Sequence, residues 1–198
     1  MCFRTVVEQL RLRQIRTYAR QPVPDAAIAE LLQIARSSGS WANSQPWHFV
    51  VIRDRNTLRR ISQLRPFMAW LADVPLAIAV VLDGAGTSQA YDEGLVTERL
   101  LIGAHMLGLG GGTAWFGGDA DEAEAKRILG IPADRTARSL VGVGHPRAGK
   151  DPVLDVITRG RKPPVGAGEL RALGQAEGLN ENGSRLIGGS HFLIPGSP

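Results

Sequence analysis

Apolar residues recur at helical spacing in Ile28, Leu31, Leu32, Ile34 and Ala35, behind a Pro22/Pro24 break and an acidic Asp25. This pattern predicts a helix that stops in Ser37-Ser38-Gly39-Ser40. Val6, Val7 and Leu10 predict a short opening helix over 5–13. Residues 47–53 read as a buried strand, Arg55 to Leu64 as an amphipathic helix, and Pro66 to Leu71 as a short aromatic-rich helical turn. The almost unbroken apolar run Leu76 to Leu82 predicts a central strand. Ser88 to Leu107 gives the longest helix, apolar nearly all round after Leu95 and so expected to be buried. A strand over 113–116, a helix over 121–129 and a strand over 139–143 complete the pattern.

Helices alternating with strands in this order predict a three-layer α/β sandwich. Beyond Arg161-Lys162-Pro163-Pro164 the periodicity fades and Gly, Asn and Ser become frequent. One domain is therefore expected over 1–165, with a C-terminal extension over 166–198 that is flexible or packed on a partner subunit. A chain of 198 residues is long enough to bury a real core.

Composition removes several classes. No apolar run approaches bilayer length, and Met1-Cys2-Phe3-Arg4 opens no signal-peptide core, so no membrane partner is expected, and the single cysteine fits a reducing, cytoplasmic setting. Cys2 is the sole cysteine, which excludes intrachain disulfides and thiolate metal clusters. The net charge is +4, and all but three of the 23 basic residues are arginine. They are scattered among 19 acidic residues with no dense basic run, so no nucleic acid is expected. Fixed positive charge for a small anion is the better use of the excess.

Four segments could carry chemistry. Ser40-Trp41-Ala42-Asn43-Ser44-Gln45-Pro46-Trp47-His48-Phe49 is a polar, amide-bearing loop running into a strand. Such groups suit a heteroaromatic edge, although alone the loop is equally a plain connector with Trp47 as a core plug. Arg11, Arg13 and Arg16 crowd three guanidinium groups into six residues, which suits either a bound anion or a solvated helix end. The glycine run Gly108 to Gly118 follows a helix and leads into a strand. A dinucleotide fingerprint needs the reverse order, so these glycines are expected to allow positive φ and close approach to a flat ligand. Gly144-His-Pro-Arg-Ala-Gly-Lys150-Asp151 nearly spells a P-loop, but Asp151 replaces the hydroxyl residue and Pro152 opposes a helix start. The four histidines have no ligand spacing, and no metal site is expected. Asp92 and Glu93 read as favourable charges at the opening of the long helix.

Asn43-Ser-Gln-Pro-Trp-His-Phe49 resembles the signature loop of the flavin-dependent nitroreductases. Arg13-Gln14-Ile15-Arg16-Thr17-Tyr18 resembles that family's Arg-Arg-Ser-Ile-Arg-x-Tyr/Phe flavin-phosphate motif, departing at Leu12 and Gln14. The glycine run is similar to its Gly-Leu-Gly-x-x-Trp-x-Gly segment, two residues longer here. Val141 to Pro146 resembles its Leu-Gly-Tyr-Pro turn, and Arg161-Lys162-Pro163 its downstream Arg-Lys-Pro. The resemblance implies an α+β three-layer fold with a mixed or antiparallel sheet, assembled as an interlocked homodimer. It implies FMN bound at the subunit interface by Arg13, Gln14, Arg16, Ser40, Asn43, Gln45, Phe116, Gly117, Gly118, Arg161 and Lys162. In such a site NAD(P)H gives hydride to the flavin, and a nitroaromatic, quinone or related small-molecule electron acceptor is reduced by ping-pong exchange. The chemistry would lie at flavin N5, with no catalytic side chain. Relatives that use a deazaflavin, cleave flavin or dehydrogenate small substrates, and a flavin-binding module without turnover, are the alternatives. Pro66–Leu71 and Ala85–Tyr91 are expected to shape the open face of the slot.

Overall fold

The structure, a computed structural model, describes residues 12–147 and two strands at 184–187 and 192–195. The chain divides into two units, Met1–Asp151 and Pro152–Pro198. In the first, the elements run α1 (Asp25–Arg36), a 3-10 turn (Trp41–Asn43), β1 (Trp47–Ile52), α2 (Arg55–Ser62), a 3-10 segment (Pro66–Asp73), β2 (Leu76–Asp83), α3 (Thr87–Met106), β3 (Gly110–Trp115), α4 (Asp119–Leu129) and β4 (Arg135–Gly144). In the second, β5 (Ser184–Ile187) and β6 (Phe192–Pro195) pair antiparallel with Leu186 opposite Leu193.

The four strands of the first unit form one sheet in the order β1-β2-β4-β3, with every pairing antiparallel. The α+β class with helices flanking the sheet is as expected. β2 is buried along Leu76–Leu82, and its period-2 alternation serves two different layers. Leu76, Ile78, Val80 and Leu82 face a core shared with Leu31 of α1 and Leu100 of α3. Ala77 and Ala79 face the other core, with Leu58, Ile61, Met68 and Phe116. Each fully buried leucine or isoleucine adds about 1.5–3 kcal/mol over its exposed state. α1 and α3 cross closely at Gly103, where an added Cβ would lie 3.0 Å from Ile34 Cδ1.

Capping sets several boundaries. Asp54 accepts the backbone N–H of Thr57 at 2.7 Å and starts α2. That bond, with a second from the Thr57 hydroxyl, holds the Asp54 carboxyl below its ordinary value. Gly130, in the left-handed region, ends α4.

Four expectations are corrected. β1 is an edge strand, with His48 and Val51 exposed, because the chain never lays a strand beyond it among the described residues. Leu12 and Arg13 are not helical, and residues 5–11 of the expected opening helix lie outside the described residues. α3 is buried on one face only, through Val96, Leu100, Gly103 and Ala104, while Tyr91, Leu95 and Met106 stay exposed. Gly110, Gly111 and Gly112 are strand residues, and what approaches them is protein. A Cβ on Gly112 would fall on the Ile15 carbonyl, and one on Gly111 would lie 2.8 Å from Leu101 Cδ2.

Candidate active site

The segment around Arg13 and Arg16 is laid against β3. Ile15 donates its N–H to Gly111 O at 2.8 Å, and Thr113 donates its own to Gln14 Oε1 at 3.2 Å. Tyr18 bridges to Pro146 just past the end of β4, and the single proton of its hydroxyl is shared between the carbonyls of Ile15 and Gly142. Only small residues at Gly110, Gly112 and Gly142 let this segment and Trp70 come so close.

Arg16 is consequently half-buried. Its Nη2 donates to Gln14 Oε1 at 3.1 Å, and its guanidinium carbon lies 5.9 Å from the Trp70 ring centroid. Among the described residues its Nε is buried with no hydrogen-bond partner. A buried N–H without an acceptor costs about 1–3 kcal/mol, so this atom is poised for a ligand acceptor. Arg13 and Gln14 are exposed beside it.

Phe116, Gly117 and Gly118 continue β3 into α4. The Phe116 side chain is fully buried, and its N–H is taken by Arg138 O at 2.9 Å. Phe116 therefore supports the turn from the core, while the N–H groups of Gly117 and Gly118 have no acceptor among the described residues. Gly117 sits at φ 85°, and a Cβ there would fall on Nη1 of Arg65. Arg65 was not foreseen from the sequence. It donates from Nη1 to Phe116 O at 2.8 Å, lies 3.8 Å from Asp121, and covers the Phe67 ring at 4.8 Å.

The amide loop is built under tension. Ala42, Asn43 and Gln45 all take positive φ, a left-handed conformation that non-glycine residues rarely adopt. Ser40 Oγ accepts the Gln45 N–H at 2.9 Å, and Asn43 Oδ1 accepts from Gln45 Nε2 at 3.2 Å. The loop is pinned by Asp92 of α3, a carboxylate only 1% exposed, whose oxygens accept the Trp41 N–H. Glu93 beside it accepts the Ser139 hydroxyl at 2.5 Å and lies 3.6 Å from Arg138. Burial pushes the Glu93 carboxyl above its ordinary value, against the Ser139 bond and Arg138. The helix-dipole reading of this pair is thus replaced by tertiary ties to a loop and a strand. An acidic pair near a helix start looks the same in sequence whether it is solvated or buried.

The loop and the arginine segment of one chain are not neighbours. β1, which the loop enters, lies three strand spacings from β3, roughly 14 Å across the sheet. Along α3, Asp92 at the loop and Leu101 beneath Gly111 are separated by roughly 14 Å of helix rise. Arg16, Gln14 and the Gly117–Gly118 turn share the β3 side, whereas Ser40, Asn43 and Gln45 do not. Arg161 and Lys162 lie outside the described residues. Among the described residues no group of carboxylates, histidines or cysteine is arranged to hold a metal ion.

Comparison with known proteins shows the family and the fold. A profile of the Nitroreductase family matches residues 12–81, which hold the arginine segment, the amide loop and β1–β2. A protein of Archaeoglobus fulgidus, provisionally named an NADH dehydrogenase/NAD(P)H nitroreductase, is 34% identical over 147 residues, covering 70% of this chain and 83% of its own. The FMN reductase [NAD(P)H] of Bacillus subtilis is 23% identical over 167 residues, covering 72% of this chain and 66% of its own. The crystal structure of a Parabacteroides distasonis protein, with the same provisional name as the archaeal one, superposes with TM-score 0.70 at 23% identity over 75% of this chain and 90% of that one. With its signature loop, arginine segment and antiparallel sheet accounted for, this chain belongs to the nitroreductase family.

Proposed function

We propose that the protein is an FMN-dependent oxidoreductase that uses NAD(P)H. The observation that carries the reading is the half-buried Arg16, whose Nε has no acceptor among the described residues, at the same β3 edge as two glycine N–H groups that also have none there. A planar ring with acceptors along one edge satisfies both sets, and family membership supports FMN as that ring. When bound, FMN supplies the redox chemistry, accepting hydride from a reduced nicotinamide and passing electrons to a nitroaromatic, quinone or related acceptor in alternating half-reactions.

The chain's own residues have distinct tasks. Arg16 holds positive charge in a partly dry setting walled by Trp70, where a guanidinium stabilises developing negative charge better than in water. The N–H groups of Gly117 and Gly118 donate to ring acceptors, and Arg65 fixes the backbone that presents them. Arg13, the Gln14 amide, Arg161 and Lys162 hold the phosphate. Gln14 replaces a hydroxyl residue of the family motif, and its carbonyl already serves Arg16 and Thr113, so its NH₂ is the group left to donate.

The distance between the amide loop and the Arg16 side makes a second copy of the chain part of this reading. Ser40, Asn43 and Gln45 of one protomer complete the site of its partner. Trp41, Tyr91, Leu95 and Met106, all exposed around the start and outer face of α3, supply the apolar surface for that contact. Purification tests the cofactor assignment. The protein should carry a yellow chromophore, and mass analysis of what it releases on denaturation should identify FMN. A colourless chain that takes up no added FMN contradicts the assignment.

A further inference from the structure

A cleft of about 620 Å³ opens beside Arg16, on the side of Trp70 that leads to the end of β4. Four arginines line it, Arg16, Arg20, Arg55 and Arg147, against a single carboxylate, Asp73. The lining carries a formal +3 in a chain whose total is +4. Arg20, Arg55 and Arg147 are exposed, and among the described residues none forms an ion pair. The contrast lies next door. A smaller cleft of about 220 Å³ shares Arg20 and Arg55 and continues to Arg53, and there Asp25 does pair with the arginine.

Like charges gathered from three separate segments repel one another, and that repulsion is relieved by a bound polyanion. Guanidinium forks match phosphate oxygens two at a time, so a phosphate dianion is the group these arginines fit. A free oxyanion would leave most of the cleft empty, because this volume is that of a drug-sized ligand. The remaining lining fits the rest of a nucleotide. Trp70 offers an aromatic face, and Asp73 an acceptor for a sugar hydroxyl or a base amine.

We propose that this cleft binds the 2′-phosphoadenosine end of NADPH, and that Arg20, Arg55 and Arg147 set a preference for NADPH over NADH. The proposal rests on the oxidoreductase reading above and deepens it. Arg16 stands at the boundary between cofactor and cleft, whereas the three exposed arginines belong to the cleft alone. A lone carboxylate such as Asp73 favours an unphosphorylated ribose, and the net excess of three positive charges overrides it.

Calorimetric titration of the full chain with 2′,5′-ADP, 5′-AMP and inorganic phosphate tests binding directly. The expected result is tightest binding for 2′,5′-ADP, weakened by added salt and lost in the triple variant Arg20→Ala/Arg55→Ala/Arg147→Ala. In the FMN-loaded enzyme, that variant should raise the KM for NADPH about tenfold or more, as loss of charge-assisted hydrogen bonds does, and leave the KM for NADH within about twofold. The triple lysine variant, which keeps the charge, should recover part of the loss. Equal binding of 2′,5′-ADP and 5′-AMP, or binding of neither, overturns the proposal. So does a triple alanine variant that folds, by its circular dichroism and melting temperature, but loses FMN, since the cleft would then serve the cofactor's phosphate. A preparation that oxidises neither nicotinamide contradicts the oxidoreductase reading, while the 2′,5′-ADP titration still decides this one.

Discussion

Asp92, in the second turn of α3, holds the backbone N–H of Trp41 from 51 positions away, with its two carboxylate oxygens at 3.1 and 3.3 Å. The bond fixes the first residue of a turn whose next residues take left-handed φ angles. A loop under such tension keeps its shape only when its surroundings hold it. The buried carboxylate is one of the groups that does so.

Asp92→Ala should therefore destabilise the protein by about 1.5–3 kcal/mol, the range for a hydrogen bond to a charged group. Amide hydrogen exchange should accelerate at Trp41–Asn43 more than in β2. Equal acceleration throughout would mean that Asp92 acts on the fold as a whole and not on the loop.

Gly117→Ala meets two obstacles, a φ of 85° and the Arg65 guanidinium occupying the Cβ position. A loss of about 1–3 kcal/mol is expected from the backbone conformation alone. Denaturant melts of Gly117→Ala, Arg65→Ala and the double variant separate the two causes. If the collision with Arg65 matters, the double variant will be more stable than the sum of the single losses implies.

Glu93 makes stability depend on pH. Its folded carboxyl binds a proton more readily than the unfolded one, whose ordinary value is 4.5. The folded state then holds more protons in that range, and stability falls as pH rises from 4.5 through the raised folded value. Glu93→Gln, which cannot ionise, should flatten this slope while keeping an acceptor for Ser139. An unchanged pH profile of the melting temperature in Glu93→Gln would contradict the assignment.

Met106 and Leu95 lie on the outer face of α3, with Met106 77% exposed. A double Leu95→Glu/Met106→Glu variant places charge on the proposed contact between copies without touching either core. It should elute as a monomer in size-exclusion chromatography and lose FMN, whereas the parent elutes as a dimer and keeps it. A parent chain that is already monomeric contradicts the shared site.

Element positions were legible wherever a periodic face ran uninterrupted. α1 begins at the expected Asp25, and β2 occupies the apolar run at 76–82 with one further residue. β3 starts three residues before the expected 113 because Gly110–Gly112 carry no hydrophobic signal. Their strand is specified by what presses on it, Ile15 on one face and Leu101 on the other. The apolar girdle of α3 is legible as composition, but sequence alone does not tell which of its residues face the core and which, like Leu95 and Met106, stay exposed. The candidate residues that sit in a contiguous motif, Arg13 to Tyr18 and Ser40 to Gln45, can be named from the sequence alone. Arg65, Asp92 and the cleft-lining trio Arg20, Arg55 and Arg147 cannot, since each meets its neighbours from segments dozens of positions distant.

The most direct measurement of the central claim is anaerobic addition of NADPH or NADH to the FMN-loaded protein, followed by its visible absorbance. Bleaching of the flavin bands, with colour restored by a quinone or nitroaromatic, is the predicted result. Bound flavin that keeps its colour with both nucleotides would contradict an oxidoreductase function.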